Sequence, residues 1–150
     1  MESVIDQIHK KDLELAEFFK GICKKNNLTY YIIGGTLLGA IRHKGFIPWD
    51  DDMDLAMPRE DYEKFLQIMM QANEKFKIVN YKIDENYKYY ITRLCNDEYE
   101  VEEVTGNVTN LFIDIFPIDG MPNSKALRKI HCLRILYHRA KLSFFYSDTI

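Results

Sequence analysis

The alternation of apolar and polar residues divides the chain into elements before any chemistry is considered. Over residues 2–25, Ile5, Ile8, Leu15, Phe19 and Ile22 fall roughly on one face at helical spacing. Lys10, Lys11, Glu14 and Lys24 lie elsewhere, the pattern of an amphipathic helix. Asn26-Asn27 ends it, and Leu28–Ile33, aromatic and β-branched, predicts a strand. The glycine pair Gly34-Gly35 then turns the backbone into a short helix, Thr36 to Ile41, closing near Gly45. Asp51–Met57 alternates as a second strand. Pro58 suits a first helical position, Glu60 and Asp61 suit the first turn, and Tyr62, Phe65, Leu66 and Met69 complete a helical stripe.

The second half predicts more strands. Phe76–Tyr81 is one; Tyr87–Cys95 and Glu98–Val104 read as a hairpin about Asn96-Asp97, although that turn lacks glycine. Thr105–Asn110 is a polar loop, Leu111–Ile115 a buried strand, and Asp119 a turn residue before glycine. Ser124 caps a last helix running to about Phe145. Helices and strands so mixed predict an α/β or α+β fold, a small mixed sheet flanked by helices.

A chain of 150 residues, almost half of them apolar, is long enough for one domain with its own core and excludes disorder. Its three cysteines, Cys23, Cys95 and Cys132, are scattered, without a C-x-x-C pair. That fits neither a disulfide framework nor a zinc site and suits a reducing compartment. No stretch reads as a signal peptide or membrane span, so a cytoplasmic setting is expected. Charge is uneven: residues 124–150 carry +5 and residues 1–123 carry −8. An acidic body argues against nucleic-acid binding. Lys125, Arg128, Lys129, Arg134, Arg139 and Lys141 surround apolar residues of the last helix, which would suit peripheral contact with the inner face of an anionic membrane.

The densest chemistry lies in residues 30–54. Glycines before a helix let the backbone approach a ligand, and free N–H groups at a helix start favour an anion. Four aspartates then fill five positions, Asp50, Asp51, Asp52 and Asp54. On an extended strand Asp50, Asp52 and Asp54 would share one face and Asp51 the other. Such carboxylates repel unless a cation stands between them, and a divalent metal is the obvious candidate. A P-loop is excluded because Ala40-Ile41 replaces Lys-Ser/Thr; an EF-hand is excluded by Leu55 and Asp61 at its glycine and glutamate positions. Asp114, inside an apolar run, is costly there unless it shares the cation.

A glycine turn, a helix and a D-x-D strand form the pattern of the nucleotidyltransferase superfamily. The run GGTLLGAIRHKGFIPWDDDMD resembles the signature of the LicD family, phosphocholine transferases to which fukutin-related proteins are similar. Phe112–Gly120 resembles that family's downstream aspartate strand. The resemblance implies a nucleotidyltransferase-like domain over residues 1–150, lacking part of the family's C-terminal region. It implies Mg²⁺ (or Mn²⁺) on Asp52, Asp54 and Asp114, with Asp50 auxiliary, and catalysis by Asp52, Asp54 and Asp114. Gly34, Gly35 and Thr36 would hold the donor diphosphate, with Arg42, His43 and Trp49 as further substrate contacts. Arg93 is a weaker candidate for the phosphates. The donor implied is CDP-choline or another CDP-alcohol. The acceptor is a glycan or glycolipid of the lipopolysaccharide, teichoic acid or capsule kind. Nucleotidyl transfer from an NTP, or a catalytically silent binding module, are the alternatives.

Overall fold

The computed structural model describes residues 3–72, 75–102 and 108–146. Its elements in order are α1 (Val4–Lys25), β1 (Tyr31–Ile32), α2 (Gly34–Arg42), β2 (Asp54–Pro58), α3 (Arg59–Gln71), β3 (Lys77–Val79), β4 (Thr92–Glu102), β5 (Val108–Ile118) and α4 (Lys125–Tyr146). The strands form one five-stranded mixed sheet, ordered β1-β2-β5-β4-β3. Among the described residues only β2 and β5 pair in parallel; the other neighbours are antiparallel. The α/β class expected from the sequence is the class observed.

Two compact units divide the chain, Met1–Ile118 and Asp119–Ile150. In the first, Leu15, Phe19 and Cys23 of α1 and Tyr62, Phe65, Leu66 and Met69 of α3 join Leu55, Met57, Leu94, Leu111, Ile113 and Ile115 in the core. Each fully buried large side chain contributes about 1.5–3 kcal/mol. The ring edges of Phe19 and Phe65 meet at 5.0 Å between centroids, joining the two helices. Helix α1 starts in a capping box: Ser3 Oγ accepts from the Asp6 N–H, and Asp6 Oδ2 accepts from the Ser3 N–H. The second unit holds α4, whose Leu127, Ile130, Leu133 and Leu136 are exposed. Among the described residues no helix is long and apolar enough to cross a membrane.

Five sequence expectations are corrected. The first strand shrinks to Tyr31–Ile32, both exposed, because β1 is a short edge. The aspartate strand begins at Asp54, not Asp51, and Pro58 ends it as the cap of α3 rather than opening the helix. No reversal occurs at Asn96-Asp97: β4 runs straight through, and the partner of each of its halves is β5. The turn signal there is real but local. Asn96 Oδ1 accepts from the Glu98 N–H at 3.1 Å, and the register jumps from Asn96↔Leu111 to Glu100↔Asn110, a bulge. Val108, Thr109 and Asn110, expected in a loop, belong to β5. Residues 103–107, which include the expected end of the hairpin and the start of that loop, lie outside the described residues.

Candidate functional site

Strand β5 alternates cleanly. Leu111, Ile113 and Ile115 are buried in the core, while Phe112, Asp114 and Phe116 point to the opposite face and are half-buried. Asp114 is therefore no violation of the apolar run; it stands on the open side. The register then builds the site. Asp54 of β2 pairs with Asp114, and Asp114 pairs with Arg93 of β4, so the three occupy one rung across three strands. Arg93 Nε donates to Asp114 Oδ1 at 3.2 Å. The guanidinium is itself held 3.7 Å above the Phe112 ring and 4.9 Å from Tyr89.

The start of α2 abuts the other end of that rung. Gly34 carries the left-handed turn (φ 56°), and a Cβ there would lie 2.5 Å from Asp54 Oδ2. At Gly35 a Cβ would lie 2.5 Å from Asp50 Oδ2. The two glycines thus admit two carboxylates against the helix start, which has no side-chain cap. Thr36 Oγ1 accepts from the Asp54 N–H at 2.8 Å, fastening strand to helix. Further along α2, Gly39 faces backbone: its Cβ would meet Gly45 O at 2.6 Å and Ile47 N at 2.9 Å. Loop 45–47 lies directly on the helix for that reason.

Asp50, Asp51 and Asp52 precede β2 in a non-strand segment, so strand alternation does not sort them. Asp51, expected to face away, lines a cavity of about 230 Å³ with Asp52, Asp114, Arg93 and Ile8. Arg42 is exposed in the last turn of α2, roughly 12 Å along the axis from Gly34. His43 ends the helix and meets Trp49 edge-on at 6.3 Å between ring centroids; Trp49 is 77% exposed. The structure thus gathers Gly34, Gly35, Thr36, Asp50 and Asp54 at one end of α2. It gathers Asp52, Asp114 and Arg93 around the cavity, and pairs His43 with Trp49.

Electrostatically the site is under-compensated. Burial, then the charges of Asp52, Asp114 and Asp50, push Asp54 up to about 6. Asp52 is raised by desolvation and by Asp50 and Asp51. Burial raises Asp114 as well, Arg93 opposing and Asp52 adding to the shift. Among the described residues no three His, Cys, Asp or Glu side chains converge closely enough to hold a metal by themselves.

Sequence reasoning missed two residues, His9 and Asp12, and the pairing of a third. Arg93 as the partner of Asp114 depends on a cross-strand register that the expected hairpin concealed. His9 of α1 has its Nε2 2.6 Å from the Asp50 carbonyl oxygen. Asp12 of α1 is fully buried with neither carboxyl oxygen hydrogen-bonded, and burial with the charges of Asp52 and Asp51 pushes it up to about 8. Its polar intrusion into the apolar side of α1 was the one signal available.

The sequence is similar to those of known proteins. The chain is 35% identical over 134 residues to the lipopolysaccharide cholinephosphotransferase LicD of Haemophilus influenzae, covering 88% of this chain and 50% of that protein. It is 44% identical over 104 residues to human ribitol 5-phosphate transferase FKRP, covering 69% of this chain and 19% of that protein. An uncharacterized Rickettsia typhi protein is 38% identical over 114 residues, 73% of this chain and 36% of its own. The chain thus spans half or less of these relatives. The model of the family LicD/FKTN/FKRP, nucleotidyltransferase domain, matches residues 27–149, a stretch that contains the glycine turn, every aspartate of the rung and Arg93; the chain belongs to that family.

Proposed function

We propose that this chain carries the centre of a metal-dependent phosphotransferase. It moves phosphocholine, or a similar phospho-alcohol, from a CDP-alcohol to a sugar hydroxyl of a cell-surface glycan precursor. The observation that carries the reading is the rung Asp54–Asp114–Arg93, set beside an uncapped helix start. The relatives' names, a cholinephosphotransferase and a ribitol 5-phosphate transferase, support the group transferred.

The donor set suits Mg²⁺ (or Mn²⁺). It is all oxygen, and among the described residues no ion pair neutralises Asp54, while Arg93 alone partners Asp114. Mg²⁺ is commonly held by one or two carboxylates plus phosphate oxygens rather than by a complete protein cage. The missing third ligand is therefore compatible with an ion completed by the donor diphosphate. Asp54 and Asp114 would hold it, with Asp52 and the auxiliary Asp50 beside them. When bound it supplies charge neutralisation at the transferring and leaving oxygens.

The chain's own groups do the rest. The N–H groups of Gly34, Gly35 and Thr36 face phosphate oxygens at the positive end of α2. Arg93 donates to Asp114 Oδ1 and so fixes the carboxylate that would complete the site and take the proton of the attacking hydroxyl. Arg42, His43 and Trp49 contact the remainder of the donor. A thermal-shift panel of CDP-choline, CDP-ribitol, CDP-glycerol and NTPs, with and without Mg²⁺, tests this. A CDP-alcohol should stabilise only with Mg²⁺ and release CMP on turnover. Pyrophosphate released from an NTP would instead make the chain a nucleotidyltransferase, and no Mg²⁺-dependent ligand would overturn both.

A further inference from the structure

Helix α1 precedes the family-matched residues, yet it reaches into the aspartate segment. The His9 ring lies flat on Phe46, centroids 4.1 Å apart and planes 4° from parallel. Its Nε2 is 2.6 Å from the Asp50 carbonyl oxygen. A carbonyl only accepts, so Nε2 carries the hydrogen and donates it. We propose that His9 is a positioning residue: from α1 it sets where Asp50, Asp51 and Asp52 stand relative to Asp54 and Asp114.

The argument follows the segment's anchors. Its near end is seated by Gly39 against Gly45 and Ile47, and the Asp50 N–H closes a turn on Ile47 O at 3.0 Å. Its far end is fixed where Thr36 accepts from the Asp54 N–H and Asp114 N–H donates to Met53 O at 2.9 Å. Between these anchors stand three mutually repelling carboxylates, and the bond from His9 to Asp50 restrains their backbone. Helix α1 can bear that load. It is rooted in the core through Leu15 and Phe19, and its first turn, just before His9, is locked by the Ser3–Asp6 capping box.

The test uses the intact chain. His9→Phe keeps a flat ring for Phe46 and removes the donor; His9→Gln keeps an N–H and loses the ring. Trp49, the chain's sole tryptophan, adjoins Asp50 and reports locally through its fluorescence anisotropy. In His9→Phe, amide exchange should accelerate about tenfold or more at Asp50 and Asp54, whose N–H groups are bonded to Ile47 O and Thr36 Oγ1, while Leu94 and Ile113 keep wild-type protection, and Trp49 anisotropy should fall. His9→Gln should lie between. The turnover readout rests on the proposed function: CMP release from CDP-choline should lose kcat more than KM rises. Wild-type exchange and anisotropy in His9→Phe would overturn the proposal, as would exchange raised uniformly through the sheet. A wild type that ignores CDP-choline and Mg²⁺ would sink the functional reading, and exchange at Asp50 and Asp54 would still decide His9.

Discussion

Two polar clusters of this protein adjoin the same sheet and differ in burial, charge and partnering. Tyr62, Asn80 and Thr92 are fully buried. Asn80 Nδ2 donates to Thr92 Oγ1 at 2.7 Å and to the Tyr62 hydroxyl at 3.0 Å, and that hydroxyl lies 2.7 Å from Thr92 Oγ1. Asn80 Oδ1 accepts from the Lys82 N–H. Every member is neutral and partnered, so the cluster joins α3 to β4 at little desolvation cost. Asp52, Asp54 and Asp114 are less buried, yet they are charged, close and opposed by one guanidinium. The first cluster closes on itself. The second is left under-compensated, the asymmetry expected between a structural polar group and a functional one.

The sharpest way to break the comparison is to neutralise one member of the open cluster. Asp54→Asn or Asp114→Asn should lower CMP release by a factor on the order of 10²–10⁴. The apo melting temperature should hold or rise, because repulsion is relieved. The double variant should be little worse than the worse single, as residues acting as a unit are not additive. Equal losses of activity and stability, seen in parallel kinetics and melting curves, would put these aspartates in the same class as Asn80.

Asn80→Ala should do the opposite. Removing it orphans the hydrogen-bonding capacity of buried groups and should cost about 1–3 kcal/mol in urea unfolding. Turnover per folded molecule should stay near wild type.

The smallest expected effect is on pH dependence. An acid whose folded pKa exceeds its unfolded value binds its proton more tightly when folded, so stability is lost as pH rises through the folded value. Asp54, raised from 3.8 to about 6, and Asp12, raised from 3.8 to about 8, should make the apo protein less stable from about pH 4 to pH 8. Asp12→Asn should flatten the part of that decline between about pH 6 and 8, in denaturation measured at each pH. A profile unchanged by the substitution would mean that Asp12 is compensated in solution.

Much of this architecture is legible in the residues. The stripes Leu15/Phe19 and Tyr62/Phe65/Leu66/Met69 announce their helices because burial on one face imposes a 3.6-residue period. The glycine turn and the aspartates announce their proximity because a Cβ at Gly34 or Gly35 would collide with the carboxylate of Asp54 or Asp50. Pairing is not legible. The hairpin about Asn96-Asp97 failed because the same Asx side chain that favours a reversal also supports a bulge, and only the partner strand decides. Asp51 failed as an outward residue because alternation holds only where strand geometry holds, and that begins at Asp54. Arg93 and His9 act through contacts 21 and 41 residues away, beyond the reach of local pattern.

The rung itself makes the sheet an inspector of its own chemistry. Asp54 and Asp114 are 60 residues apart in the chain and meet only if β2 and β5 pair in the observed register. A slip of one residue along β5 would turn Asp114 inward and Leu111, Ile113 and Ile115 outward together. Such a chain would forfeit its core in the same step in which it lost its site. A stably folded form slipped by one residue is thereby excluded: the burial that seats Leu111, Ile113 and Ile115 also keeps Asp114 on the face it shares with Asp54.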